Sequence, residues 1–170
     1  MRLAIISDTH LSAGLAAQEG RRRLPDGTLD RLRDADAILH AGDLMTAAVL
    51  DDLLALGPPV HAVHGNADDG EVRGRLPAVL ELELGGVRVA MTPNGGPADG
   101  RLARMRRKFP DADALVFGHS HIPLHEVSED GAFQIFNPGS AADRRRQPRH
   151  TMGEAVITGT TIAFGHVELD

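Results

Sequence analysis

The sequence predicts an α/β fold whose functional groups gather at the carboxyl ends of its strands. Three observations carry that prediction. Short unbroken apolar runs end abruptly in polar residues, helical apolar spacing separates them, and glycine-marked turns punctuate a β-rich second half. Leu3-Ala4-Ile5-Ile6, ending in Ser7-Asp8, suits a strand buried on both faces. Residues 14–25, with Gly, Arg and Pro, predict a loop or a short helix. Leu29 and Leu32 among charged residues predict a helix leading into a strand over residues 37–41. Over residues 46–56, Val49, Leu50, Leu53, Leu54 and Leu56 recur at helical spacing, and Gly57-Pro58-Pro59 stops them. Residues 60–64 form a third strand ending at Gly65. Residues 79–84 and 87–91 flank Gly85-Gly86 and predict a β-hairpin. A basic helix over residues 99–109 precedes a strand over residues 114–117. Residues 122–127, 133–136, 152–158 and 161–168 extend the β-rich part, the last pair turning at Gly159.

Composition narrows what such a fold can do. The 170 residues contain no repeat, low-complexity tract or linker, so one domain over residues 1–170 is expected. Aromatic residues are 3%, all of them Phe, which demands an aliphatic core and excludes Trp or Tyr stacking platforms. Eighteen basic against 24 acidic residues give a net charge of −6, which disfavours a stable nucleic-acid partner. A small phosphorylated substrate is compatible with that charge, because a bound metal reverses the local field. The absence of cysteine excludes disulfides, thiolate catalysis and Cys-based zinc sites. No apolar run approaches about 18 residues, so no membrane span is expected. The apolar start of the chain is too short for a signal peptide, and cytoplasmic residence is the expectation.

Four polar clusters fall where strands end: Asp8-Thr9-His10, Gly42-Asp43, Gly65-Asn66-Ala67-Asp68 and Gly118-His119-Ser120-His121. Groups so far apart in the chain meet only if parallel strands bring their ends to one rim. Carboxylates, imidazoles and an amide oxygen suit Mn²⁺, Fe or Zn²⁺ better than Mg²⁺. The glycines before Asp43, Asn66 and His119 are expected to allow backbone geometry that other residues resist.

Asp8-x-His10, Gly42-Asp43, Gly65-Asn66-x-Asp68 and Gly118-His119-x-His121, in this order, resemble the calcineurin-like metallophosphoesterase superfamily. The short length and Asn137-Pro138-Gly139-Ser140 are similar to its small YfcE-type phosphodiesterase branch. The resemblance implies a four-layer sandwich, two β-sheets flanked by helices, with two divalent metal ions at the strand ends. It implies Asp8, His10 and His121 as ligands of the first ion, Asp43 as the bridge, and Asn66 and His119 as ligands of the second. Mn²⁺ is the expected metal, with Fe, Ni or Zn as alternatives. The implied reaction is hydrolysis of a small phosphate ester, by a phosphodiesterase, through water activated near neutral pH. Asp43, Asn66, Asp68 and His119 are the residues expected to serve catalysis, Asp68 by orienting a ligand.

Two departures from the family pattern matter. Pro93, in Met91-Thr92-Pro93-Asn94-Gly95-Gly96, stands where the family usually has another metal-binding His, so the second ion is expected to bind more weakly. Ala67 stands where many members have His, which removes a proton donor worth about 10²–10⁴-fold in rate. His64 and His10 are the nearest alternatives, and esters with good leaving groups are the expected substrates.

The remaining features have plainer readings. His40, at a strand end, is expected to pack or to support the site, and His61, His125, His150 and His166 show no partner pattern. Arg21-Arg22-Arg23 and Arg144-Arg145-Arg146 match phosphate oxygens chemically, but charge runs are usually solvated and that reading is preferred. The second triplet, near the Asn137–Ser140 turn, is the better phosphate candidate. The four Arg and one Lys of residues 101–108 read as a wet helix face. A homodimer is compatible with the sequence. The rival to an enzyme is a non-catalytic metal-binding scaffold of the same fold, as in a eukaryotic retromer subunit. A nuclease reading fares worst, because no basic groove is visible.

Overall fold

The computed structural model describes residues 1–15 and 22–169, so residues 16–21 of the predicted loop or short helix, Arg21 included, lie outside the described residues. Strand β1 (Arg2–Ile6) is followed by helix α1 (Thr28–Arg33), β2 (Ala37–His40), α2 (Ala47–Leu54) and β3 (Val60–Ala62). Then come α3 (Gly70–Arg75), β4 (Leu80–Leu84), β5 (Val87–Thr92), α4 (Arg101–Lys108) and β6 (Ala114–Phe117). The chain finishes with β7 (Leu124–Val127), β8 (Gln134–Asn137), β9 (Thr151–Thr158) and β10 (Thr161–Glu168). Every predicted strand and helix outside residues 14–25 is present, with ends shifted by up to two residues. The strand predicted over residues 60–64 stops earlier: the Val63 N–H still donates to the His40 carbonyl of β2, and the His64 N–H turns away to the Pro77 carbonyl. Sequence reading missed α3, because its two glycines and single buried apolar residue, Val72, carry no helical periodicity. Its cap is clear in the structure, where the Asp69 carboxylate accepts from the Val72 N–H at 2.9 Å.

The strands form two five-stranded sheets, in the orders β10-β9-β1-β2-β3 and β4-β5-β6-β8-β7. In the first, β1, β2 and β3 are parallel and β9–β10 is an antiparallel hairpin at one edge. In the second, β5, β6 and β8 are parallel, with β4 and β7 antiparallel at the edges. Alternate residues explain the layering. Leu3, Ile5 and Leu39 of the first sheet face Val89, Met91, Val116 and Phe136 of the second in one shared core. Ala4, Ile6 and Ile38 pack instead with Leu32, Val49, Leu50, Leu53 and Val72 of α1, α2 and α3. On the far side, Ala90, Leu115 and Phe117 pack with Met105 and Phe109 at α4. The result is the four-layer arrangement of helices, sheet, sheet, helix. Among the described residues no helix is long and apolar enough to cross a membrane.

Candidate metal centre

The strand–helix alternation alone suggests one rim of one sheet, whereas the site straddles two. β1, β2 and β3 of the first sheet end in the Asp8, Asp43 and Asn66 clusters, and β6 of the second ends in the His119 cluster. The loops after β1 and β2 run side by side, with the Asp8 N–H on the Gly42 carbonyl at 2.9 Å and the His10 N–H on the Asp43 carbonyl at 3.1 Å. The His119 N–H joins the second sheet to the first by donating to both Asp8 carboxylate oxygens at 2.9 Å. Among the described residues seven non-glycines have positive φ, and five of them are predicted ligands: Asp8, His10, Asp43, His119 and His121, between 48° and 78°. Such backbone persists only where the surroundings over-determine it, and it concentrates at functional sites.

Asp8, His10 and His121 converge, with ligand atoms all within 4.8 Å of one another. The two imidazole rings stack at 5.1 Å between centroids, and His121 Nε2 lies 3.7 Å from Asp8 Oδ1. His121 donates its Nδ1–H to the Asp143 backbone carbonyl, which leaves the Nε2 lone pair directed away from that bond. His10 Nε2 and His121 Nε2 are buried without a hydrogen-bond partner. Buried polar atoms are almost always satisfied, so two bare imidazole nitrogens beside a carboxylate fit a divalent cation. Burial pushes the Asp8 carboxyl up to about 7, against the lowering effect of the Ser7 hydroxyl and the His119 N–H. Burial also pulls His10 and His121 below the ordinary imidazole range, which keeps them neutral and able to ligate.

The other predicted residues divide into anchored and exposed groups. Asp43 is buried and its Oδ1 accepts from the Ala67 N–H at 2.7 Å. Asp68 is buried and accepts three backbone N–H groups, from Gly65 at 2.6 Å, Met45 at 2.7 Å and Asp43 at 3.1 Å. It thereby clamps the loops after β2 and β3 together. Asn66 and His119 are exposed, and the Asn66 carbonyl accepts from Arg73 at 2.7 Å. Neither Asp43 nor His119 joins the Asp8–His10–His121 group, which is the one such group of three among the described residues. Pro93 lies against Gly42, where an added Cβ would meet the proline Cβ at 2.8 Å.

Only one of the three expected glycine roles is conformational. Gly42 has φ 97°, whereas Gly65 and Gly118 serve by leaving space for carboxylates. A Cβ at Gly65 would lie 2.2 Å from Asp43 Oδ1, and one at Gly118 2.7 Å from Asp8 Oδ2.

Ser7 escapes sequence reasoning, whereas His40 packs and supports the site as expected. The Ser7 hydroxyl lies within hydrogen-bond reach of both Asp8 Oδ2 at 2.7 Å and the Gly139 carbonyl at 2.9 Å. The Ser140 hydroxyl donates to the Asp8 carbonyl at 2.7 Å, and Asn137 Nδ2 to the Gly118 carbonyl at 3.2 Å. The Asn137–Ser140 turn is thus a knot beneath the centre. His40 is fully buried; its Nδ1 accepts from the Gly42 N–H and its Nε2–H donates to Thr9 Oγ1 at 3.1 Å. Desolvation takes its pKa down to about 4, so it is a neutral structural link rather than a ligand. Elsewhere His166 bonds the Asn137 carbonyl and stacks on Phe136, and His125 bonds Gln134.

A two-sheet sandwich with imidazole and carboxylate donors at its shared strand ends defines a metal-binding α/β protein. Residues 1–159 match the model of the calcineurin-like phosphoesterase superfamily domain. A probable metallophosphoesterase of Methanothermobacter thermautotrophicus is 33% identical over 144 residues, covering 82% of this chain and 77% of that protein. The chain belongs to the calcineurin-like phosphoesterase superfamily. In fold it is similar to Vps29 of Entamoeba histolytica complexed with zinc, with a TM-score of 0.72, 20% identity and all of both chains covered. A protein described as a novel archaeal phosphodiesterase has the same TM-score of 0.72 at 18% identity, over 98% of this chain and all of that one.

Proposed function

We propose that the protein is a metal-dependent phosphoesterase, and specifically a phosphodiesterase of small phosphate esters, with Mn²⁺ as its working metal. The reading is carried by the two buried, unpartnered Nε2 atoms of His10 and His121 beside the Asp8 carboxylate. Asp8, His10 and His121 would hold one cation; Asp43 would bridge to a second, weaker site completed by Asn66 and His119. Cations held there supply Lewis acidity to a phosphoryl oxygen and bring the pKa of a water near neutrality.

The chain's own contribution is orientation. The Asp143 carbonyl fixes the His121 tautomer, the His119 N–H holds both Asp8 oxygens, and Asp68 fixes the backbone under Asp43. Ala67 offers no proton to the departing oxygen, so esters whose leaving group needs none are favoured. The metallophosphoesterase relative and the phosphodiesterase fold neighbour support this reading.

The test is hydrolysis of a bis-aryl phosphate by metal-stripped protein with and without added Mn²⁺. Turnover is expected only with Mn²⁺, faster for aryl than for alkyl esters, and reduced on the order of 10²-fold or more by Asp43→Ala. Equal turnover without metal, or an unimpaired Asp43→Ala protein, contradicts the proposal. A scaffold role is the second reading, favoured by Pro93 closing against Gly42 without a donor. Tight Mn²⁺ binding without turnover of any ester in a broad panel selects it.

A further inference from the structure

Two guanidinium groups stand beside the centre, on the side where Asp143 meets His121. Arg22 Nη1 lies 3.3 Å from the His10 carbonyl and 3.2 Å from Asp143 Oδ2. Arg145 Nε lies 4.0 Å from that same carboxylate oxygen. Asp143 also accepts the His121 Nδ1–H on its backbone carbonyl, so one residue ties both arginines to a predicted ligand. We propose that Arg22 and Arg145, gathered by Asp143, form a phosphate clamp that grips the non-bridging oxygens of the phosphoryl group at the Asp8–His10–His121 centre.

Four observations converge on the clamp. Both guanidinium side chains are open to solvent, 42% and 57% exposed, while the carboxylate between them is only 18% exposed. One carboxylate against two guanidiniums leaves the trio with net positive charge. Arg145 has φ 49°, and it shares this rare left-handed backbone with five predicted ligands. A long side chain is held in such a conformation only where the fold dictates its direction. Finally, the Arg145 charge acts on Asp8, His10 and His121 together, lowering the pKa of each, and the Arg22 charge acts on His10.

The chemistry suits the ligand. A guanidinium fork matches a pair of phosphate oxygens in a way that an ammonium does not. Pro93, against Gly42, offers no side-chain donor to a cation, and the clamp supplies positive charge to the phosphoryl oxygens. Neither triplet is therefore simply a solvated run: each contributes one arginine to the site.

The clamp rests on the proposed function only in assuming that the site takes a phosphoryl group. Its probe is inorganic phosphate, titrated calorimetrically into the Mn²⁺-loaded protein. Arg22→Gln and Arg145→Gln are each expected to weaken phosphate binding about tenfold while Mn²⁺ binds no more weakly than in the wild type, since a repelling positive charge is removed. Arg145→Lys is expected to recover only part of the loss. Arg145→Gly, whose backbone adopts φ 49° freely, is expected to lose as much as the glutamine variant, since the guanidinium rather than the turn is what counts. Phosphate binding within about twofold of wild type in both glutamine variants, or no phosphate binding by the Mn²⁺-loaded wild type, overturns the clamp. The variants losing phosphate while no ester is turned over by the wild type leaves the clamp standing and removes the catalytic reading. Turnover with unaltered phosphate affinity does the reverse.

Discussion

Asp8→Asn is expected to stabilise the metal-free protein while abolishing its high-affinity metal binding. The carboxyl is fully buried, and without a cation its pKa is pushed up to about 7 from 3.8. A folded-state pKa above the unfolded value means that stability is complete below pH 3.8 and is lost as pH rises through about 7. At pH 8 the buried charge therefore costs the metal-free fold on the order of a few kcal/mol, and an amide carries no such cost. The side chain remains sterically accommodated, because the His119 N–H still finds an acceptor and the Ser7 hydroxyl can donate to Gly139 while accepting from the new amide. Metal binding moves the other way. Loss of the charged ligand weakens Mn²⁺ by at least about 10²-fold, more than the loss of an outer-shell partner does. Denaturant unfolding at pH 8 and Mn²⁺ titration together check this. A variant both less stable and equally metal-competent contradicts it. In the wild type the same carboxyl makes Mn²⁺ affinity fall about tenfold for each pH unit below about 7, because the proton competes with the cation. His10 and His121, already pulled below the usual imidazole range, add competition only at lower pH.

Asp68→Ala is expected to be the most damaging change outside the direct donors. Its carboxylate is buried and accepts three backbone N–H groups on two loops. Removing it orphans all three donors, each costing about 1–3 kcal/mol when left unpaired in a buried place. A loss of about 3–5 kcal/mol of unfolding free energy is expected. Asp68→Asn is expected to lose less, since one oxygen still accepts. In that folded variant turnover should fall about 10–100-fold, because the Asp43 backbone loses part of its anchor. Urea unfolding of both variants, and turnover of Asp68→Asn, check the prediction. Wild-type stability in Asp68→Ala contradicts it.

The convergence of Asp8, His10 and His121 is legible because each cluster follows an unbroken apolar strand, a pattern that survives without any contact information. That pattern and the Asp-x-His and His-x-His spacing are enough to single the three residues out. The division of the strands between two sheets was not legible from alternation: β6 reads like β1 to β3, and only pairing tells which sheet it joins. Helix α3 was hidden because Gly70 and Gly74 flank its single core residue. Ser7, Ser140 and Asp143 were hidden for another reason. Ser7 and Ser140 reach backbone atoms 132 residues away in the chain, and Asp143 fixes His121 through a backbone carbonyl that any residue would supply. Arg145 stood out only as part of a charged run, and its direction is set by a φ value that no residue type announces. The glycines before Asp43, Asn66 and His119 stand out in the sequence, yet for Gly65 and Gly118 the cause is a carboxylate packed against the Cα.

Anomalous diffraction from crystals soaked in Mn²⁺ addresses the metal centre most directly. A strong manganese peak is predicted in bonding contact with the Asp8 carboxylate and with Nε2 of both His10 and His121, and a weaker second peak beside Asp43. Density showing no manganese among those three side chains, with both Nε2 atoms hydrogen-bonded elsewhere, would contradict the assignment.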